Sequence, residues 1–206
     1  MLVIGLTGGI GMGKSAAAVH FARRGVPMFD ADAYVHRLYD GDAVAAIEAA
    51  FPGVAREGRV DRALLAKQVA VSPERLRALE AIVHPLVIKA EIDFLLAEEK
   101  KGAKLAVLDI PLLFETGAEA RTDVTIALSA PEAVQRARVL ARPGMTAEKF
   151  EALRARQATD AERRARADYV VDSGTTLEDM YAQIDRLIES LKTREGRAME
   201  RLRHQE

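Results

Sequence analysis

The chain contains no cysteine, so disulfides, thiolate metal sites and cysteine nucleophiles are excluded. It has no tryptophan, and aromatics make up only 5% of its 206 residues. A core must therefore be built from Ala, Leu, Val and Ile. Asparagine is absent as well, which removes the Asn-Lys-x-Asp segment that reads guanine in GTPases of the usual kind. Neither sign of charge dominates: 30% of residues are charged and the net charge is −1. Nothing global points to nucleic acid or to an anionic membrane, although a local basic site is left open. No apolar run approaches the roughly 18 residues of a membrane span, and Leu2–Leu6 is too short for a signal-peptide core. The expectation is a cytoplasmic protein with no nucleic-acid or membrane partner, a monomer or a weak homo-oligomer. With 49% hydrophobic residues, the chain can bury one sizeable core with small appended lobes.

Short apolar runs alternate with helical patterns. Leu2–Leu6 reads as a buried strand closed by glycines, and Ser15–Arg24 as a helix stopped by Gly25. Val26–Phe29 is a second strand, ending in Asp30-Ala31-Asp32. A helical stretch from about Tyr34 to Lys101 follows, broken at Pro52-Gly53, Gly58, Ser72-Pro73 and His84-Pro85. Leu105–Leu108, ending at Asp109, and Val124–Leu128 are the third and fourth strands. Ser129-Ala-Pro-Glu132 has the pattern of a capping box, so a helix is expected from about Pro131 to Ala141. Pro143-Gly144 breaks it, and Thr146 begins another that ends near Ala158. Tyr169–Val171 is the fifth strand, and Thr175-Thr-Leu-Glu178 a further capping box before a last helix. Near-continuous apolar strands separated by helices predict an α/β fold: a five-stranded parallel sheet covered on both faces. The segment Thr193–Glu206 is charged and is expected to fray or to be disordered.

Gly8-Gly9-Ile10-Gly11-Met12-Gly13-Lys14-Ser15 fits G-x-x-x-x-G-K-[ST] and stands between a strand and a helix, the context that confirms this motif. Glycines let the backbone curl so that several N–H groups, from Gly9 through Ala16, point at one phosphate. The helix beginning at Ser15 aims its positive end at the same point. Lys14 adds a full charge on the β- and γ-phosphates, and the Ser15 hydroxyl can ligate Mg²⁺. A glycine-rich turn without a ligand is the bland alternative. A regulatory nucleotide-binding protein without transferase activity is the alternative from another class.

Asp30-Ala31-Asp32 lies at a strand end, where an open parallel sheet carries its chemistry. One carboxylate can take a proton from an attacking hydroxyl, and the other can hold Mg²⁺ through water. Equally, either can cap the following helix. Pro85 fits a first helical position, which puts His84 at or before an N-cap, where an imidazole can meet a phosphate or sugar oxygen; a structural histidine is the alternative. Arg136, Arg138 and Arg142 follow the fourth strand, and Arg142 is the best placed to reach a migrating phosphoryl group. Arg154, Arg156, Arg163, Arg164 and Arg166 are read mostly as solvated faces or ion pairs.

Taken together, these segments resemble the dephospho-CoA kinase family. The residues that carry the resemblance are Ile4 to Ser15, Asp30-Ala-Asp32, His84-Pro85, Asp109-Ile-Pro-Leu-Leu-Phe-Glu115, Arg142-Pro-Gly-Met-Thr146 with Gln157 downstream, and Ala167-Asp-Tyr-Val-Val-Asp-Ser-Gly174. The resemblance implies a P-loop kinase that phosphorylates the ribose 3′-hydroxyl of dephospho-CoA with ATP and Mg²⁺. It implies a three-layer core (about 1–32, 103–140 and 165–192), a helical CoA-binding lobe (about 33–102), a small lid (about 141–164) and a charged tail (193–206). Asp32 is then the base, with Lys14 and Arg142 on the phosphates. Gly9, Gly11, Met12, Gly13, Ser15 and Ala16 bind ATP, with Ser173 and Gly174 by the adenine. His84, Pro111, Leu112, Leu113 and Glu115 line the acceptor site. Asp109 stands where a Walker-B carboxylate would, reaching magnesium through water. Met12 replaces a small residue, its side chain expected to point outward, and Asp172-Ser-Gly174 replaces an Asp-Asn-x-Gly ending. Another nucleoside or nucleotide kinase is the nearest alternative, separated by its acceptor.

Overall fold

The computed structural model describes residues 1–203. Strand β1 (Leu2–Gly8) runs up the centre of a five-stranded parallel sheet. On one side stand β5 (Leu105–Asp109) and then β2 (Met28–Asp30); on the other stand β6 (Val124–Ser129) and then β7 (Tyr169–Asp172). The register pairs Leu2 with Leu105, Leu6 with Asp109, and Gly8 with Leu128. Every residue of β1, β5 and β6 is buried, which is why these strands read as continuous apolar runs rather than alternating ones. Leu2, Ile4, Leu6, Val107, Ile126 and Leu128 share a cluster with Phe21 of α1 (Lys14–Arg23). Met180, Ile184, Ile188 and Leu191 of α9 (Leu177–Leu191) complete it from a single helical stripe. Each large side chain buried there contributes about 1.5–3 kcal/mol of transfer free energy. The alternate residues Val3, Ala106, Leu108 and Thr125 are buried too, so both faces are covered.

The described residues form two compact units, one made of Met1–Phe29 with the chain from Leu95 onward, the other of Asp30–Phe94. The second holds α2 (Ala31–Leu38), α3 (Val44–Ala50), a hairpin of β3 (Ala55–Arg56) and β4 (Arg59–Val60), and α4 (Arg62–Val69). It also holds most of α5 (Pro73–Lys100). The hairpin turns at Glu57 and Gly58, both at positive φ (51° and 76°), the twist-matched geometry for a two-residue connection. Val60 N–H donates to Tyr39 O, and Asp61 N–H to Val54 O, tying the hairpin to its surroundings.

Several local expectations are corrected. Gly58 does not merely break a helix; it makes a hairpin. His84-Pro85 does not end a helix: α5 runs on for 28 residues with Pro85 inside. Proline there forfeits one hydrogen bond and strains the preceding turn, and the buried Val83 and Val87 on the same helix offset that cost. Ser129 is not a cap. It finishes β6, is 3% exposed, and donates from Oγ to Asp160, so α6 (Glu132–Leu140) follows Pro131 as its N-cap, with no side-chain cap. The box before α9 is shifted by one residue: Thr176, not Thr175, accepts from Asp179 N. The helix expected from Thr146 to near Ala158 stops at Arg154, and a further helix that was not expected follows it. Thr146 caps α7 (Ala147–Arg154), and a full Thr159–Glu162 capping box starts α8 (Asp160–Arg166).

The tail, too, is ordered as far as it is described. Arg197 and Ala198 N–H groups donate to Asp123 Oδ1 at 2.6 Å each, and Val3 N–H donates to Oδ2 at 2.8 Å. Ala198, Met199 and Leu202 of α10 (Ala198–Arg203) are buried. Residues 204–206 of that segment lie outside the described residues.

Candidate phosphate-binding site

The loop between β1 and α1 takes its shape from three glycines. Gly11 and Gly13 have φ of +77° and +84°, which side-chain-bearing residues adopt at a cost of about 1–2 kcal/mol. At Gly11 a Cβ would also stand 2.5 Å from Val139 Cγ2, so helix α6 lies directly against the loop. At Gly9 a Cβ would stand 2.5 Å from Arg163 Nη2. Met12 N–H closes the loop on Gly9 O at 3.0 Å, while Ala16 and Ala17 N–H turn back to Gly13 O. The N–H groups of Gly11, Gly13, Lys14 and Ser15 have no acceptor among the described residues. No acidic residue stands in the first turn of α1 and no side chain caps it. Four free donors at the positive end of a ten-residue helix make an anion site.

Lys14 Nζ sits 2.6 Å from Asp109 Oδ1, with side-chain exposures of 19% and 5%. The lysine's counter-charge is thus the carboxylate ending β5. Thr7 Oγ1 donates to Pro111 O at 3.0 Å and fixes the chain beyond that strand. Ser15 is exposed. Among the described residues no three acidic, imidazole or thiol side chains converge as a ready-made metal cage.

Met12 does not point outward. It is 1% exposed, in the core cluster, and its Sδ accepts from Ala130 N–H at 3.2 Å. An apolar thioether is more stable packed against α-helical and strand side chains than in water. Ser173 is 3% exposed and donates from Oγ to Met12 O at 2.7 Å, so its hydroxyl supports the loop from below. Arg138 Nη2 donates to Ser173 O at 2.7 Å, and Gly174 N–H to Asp172 Oδ1. Gly174 leaves no room for a side chain, since a Cβ would meet Pro131 Cδ at 2.4 Å.

Arg142, just past α6, is exposed and makes no ion pair or hydrogen bond through its side chain among the described residues. Leu112 is 38% exposed, whereas Leu113 is fully buried against Gly5. Glu115 Oε1 accepts from Ala158 N–H at 2.7 Å. In the other unit, Asp30 is the cap of α2, accepting from Ala33 N–H at 2.9 Å. That leaves Asp32, in the first turn, exposed and unpaired among the described residues. His84 is exposed in mid-helix, away from the helix N-terminus and its free N–H groups.

Arg163, read with its neighbours as mostly solvated faces or ion pairs, is instead buried. It is 3% exposed, with no hydrogen-bond partner for Nε or Nη1, and Nη1 forms a long ion pair with Glu115 Oε1 at 3.9 Å. Burial holds its pKa below the ordinary arginine value, against the pull of Glu115 and Asp160. The Thr159-Asp-Ala-Glu162 capping box is a signal that could have found it and was not read, since that pattern starts a helix and puts Arg163 on its first turns. Gln135, 4% exposed on α6, had no sequence signal; it donates from Nε2 to Ile10 O at 2.9 Å. Gln157 Oε1 accepts from Ile10 N–H at 3.0 Å.

A model described as dephospho-CoA kinase matches residues 2–179. The chain belongs to the dephospho-CoA kinase family. It is 52% identical over 194 residues to a dephospho-CoA kinase of Rhizobium etli, covering 94% of this chain and 96% of that one. To a dephospho-CoA kinase of Brucella melitensis it is 53% identical over 191 residues, covering 93% and 96%. The solved dephospho-CoA kinase of Campylobacter jejuni superposes with a TM-score of 0.70 at 22% identity, covering 92% of this chain and 96% of that one, a likeness of fold. As a member of the family, the chain is a transferase, an ATP-dependent kinase of dephospho-CoA in coenzyme A synthesis. No helix among the described residues is long and apolar enough to cross a membrane.

Proposed function

We propose that the loop from Gly9 to Ala16 holds the β- and γ-phosphates of ATP, and that Asp32 takes the proton from the ribose 3′-hydroxyl of dephospho-CoA as it attacks. What most supports the donor half is the row of N–H groups at Gly11, Gly13, Lys14 and Ser15 without a protein acceptor. Lys14 moves from Asp109 to the phosphates, and the unpaired Arg142 meets the migrating phosphoryl group. Phosphoryl transfer asks for little else than positioning and charge. Magnesium fits as a cation held chiefly by the substrate's own phosphates, with the exposed Ser15 hydroxyl as a ligand and Asp109 acting through water; it would neutralise charge on the phosphates.

For Asp32, the support is that Asp30 has taken the capping role and left the second carboxylate uncommitted. His84 and the segment Pro111–Glu115 are assigned to the acceptor by the family pattern. Within that segment the exposed Leu112 is suited to touch a substrate, and the buried Leu113 supports it from within. Ser173 and Gly174 lie by the adenine in this reading, Ser173 through its backbone and Arg138 alongside. Residues 33–102 form the CoA-binding lobe and 141–164 the lid, in a cytoplasmic chain that is a monomer or a weak homo-oligomer.

ADP release measured with dephospho-CoA, with adenosine or AMP, and without acceptor tests the acceptor. Asp32→Asn tests the base. The variant is expected to fold and bind ATP like the parent while transfer falls about 10²-fold or more. Transfer at the parental rate would remove Asp32 from the role of base.

A further inference from the structure

The phosphate loop is held from outside by two glutamines on different elements. Gln135, on α6, donates to the carbonyl of Ile10 at 2.9 Å, and Gln157, between α7 and α8, accepts from its N–H at 3.0 Å. Both polar groups of one loop residue are thus taken by side chains. Their effect follows from the planarity of the trans peptide, in which C=O and N–H point in opposite directions. With the Ile10 carbonyl drawn out to Gln135, the Gly11 N–H of the same peptide is turned away from α6, and it has no protein acceptor among the described residues. With the Ile10 N–H drawn out to Gln157, the Gly9 carbonyl of that peptide is turned the other way, where it accepts from Met12 N–H at 3.0 Å. A loop with Gly9 and Gly11 on either side of Ile10 has little intrinsic resistance to peptide flips. A flip of the 10–11 peptide would present a carbonyl oxygen where an N–H must meet phosphate.

We propose that Gln135 and Gln157 are positioning residues for the donor phosphates, setting the two peptides flanking Ile10 so that Gly11 N–H is presented to the anion. Arg163, packed on Gly9 in the same segment as Gln157, walls the outside of the loop. Because Gln157 lies between α7 and α8, the order of that segment and the shape of the loop are coupled. This inference rests on the phosphate-loop reading and deepens it.

The experiment measures binding of inorganic tripolyphosphate and of ATP, by calorimetry, to the full chain and to Gln135→Leu, Gln157→Leu, Gln157→Glu and Gln157→Lys. The leucine variants are expected to weaken both ligands about tenfold, the scale of a lost hydrogen bond to a buried group, with the KM for dephospho-CoA unchanged. The charged pair separates positioning from simple electrostatics. Glutamate keeps the acceptor for Ile10 N–H but adds a negative charge; lysine adds a positive charge but offers only donors. Positioning predicts tighter ATP binding by Gln157→Glu than by Gln157→Lys, and electrostatics alone predicts the reverse. The reverse order, or parental affinity in Gln157→Leu, overturns the inference while leaving the phosphate-loop reading intact. Failure of the parent chain to bind tripolyphosphate or ATP would overturn both.

Discussion

Removing the Asp109 carboxylate should tighten ATP binding when magnesium is withheld. Lys14 Nζ rests 2.6 Å from Asp109 Oδ1, the lysine side chain 19% exposed and the aspartate 5%. Removing one partner of a buried ion pair costs about 3–5 kcal/mol, because the other is left desolvated without its counter-charge. Lys14 keeps some contact with water, which discounts Asp109→Ala to below that range, about 2–3 kcal/mol of lost stability measured without nucleotide. A bound triphosphate gives Lys14 a new counter-charge, so much of that penalty vanishes on binding. Recovering about 1.4 kcal/mol of it corresponds to tenfold in affinity. Loss of the repulsion between carboxylate and phosphates acts in the same direction. Calorimetric titration with ATP in EDTA reads the affinity. Chemical denaturation with and without saturating ATP reads the stability gap, which should narrow with nucleotide present. ATP affinity in EDTA equal to or weaker than the parent's would refute the picture of Lys14 shared between Asp109 and phosphate. With Mg²⁺ restored, turnover should fall, since the contact through water proposed for Asp109 is lost.

Three further expectations concern the frame around the site. Gly11→Ala combines a left-handed φ of +77° with a Cβ 2.5 Å from Val139 Cγ2; it should cost about 2–4 kcal/mol in a urea melt and weaken ATP binding with it. Asp123→Ala leaves the N–H groups of Val3, Arg197 and Ala198 without their acceptor; a loss of about 2–4 kcal/mol and faster proteolysis near residue 196 are expected, and an unchanged melt would show that the tail adds nothing to the sheet. The Glu48 carboxyl is held below its ordinary value of 4.5 by the N–H groups of Gly53 and Ala55. Its stabilising effect is therefore complete above that value and is lost as pH falls through and below it. Glu48→Gln should flatten the acid limb of unfolding monitored in the Asp30–Phe94 unit, and an identical acid limb would exclude this carboxyl as a contributor.

How much of this was legible in the residues varied with how local the cause was. The phosphate loop, the five strands and the Thr146 cap are set by patterns within a few residues, and they stand where the pattern put them, with ends shifted by a residue or two. The Glu57-Gly58 hairpin was missed because its two strands are two residues each, too short for any period to register. Pro85 misled because its cost is local whereas the burial of Val83 and Val87 that offsets it is not. Ser129 had the right spacing for a cap but was already the last residue of a buried strand. The charged tail looked solvent-bound because its three anchoring apolar residues, Ala198, Met199 and Leu202, are sparse, and because Asp123, which accepts its N–H groups, lies 74 residues away.

The sequence by itself determined the class of chemistry: a Gly-rich loop ending in Lys14-Ser15 between a strand and a helix presents N–H groups and a cation to phosphate wherever it folds. The order of motifs along the chain carried the family as well. Only the tertiary structure decided what braces that loop. Met12 inward against Ala130, Ser173 beneath it, Gln135 and Gln157 on either side of Ile10, and Arg163 against Gly9 come from segments up to 161 residues apart. The physical reason is that a backbone N–H can be aimed by local conformation, but it is kept aimed by partners whose positions depend on how the whole sheet and its helices pack.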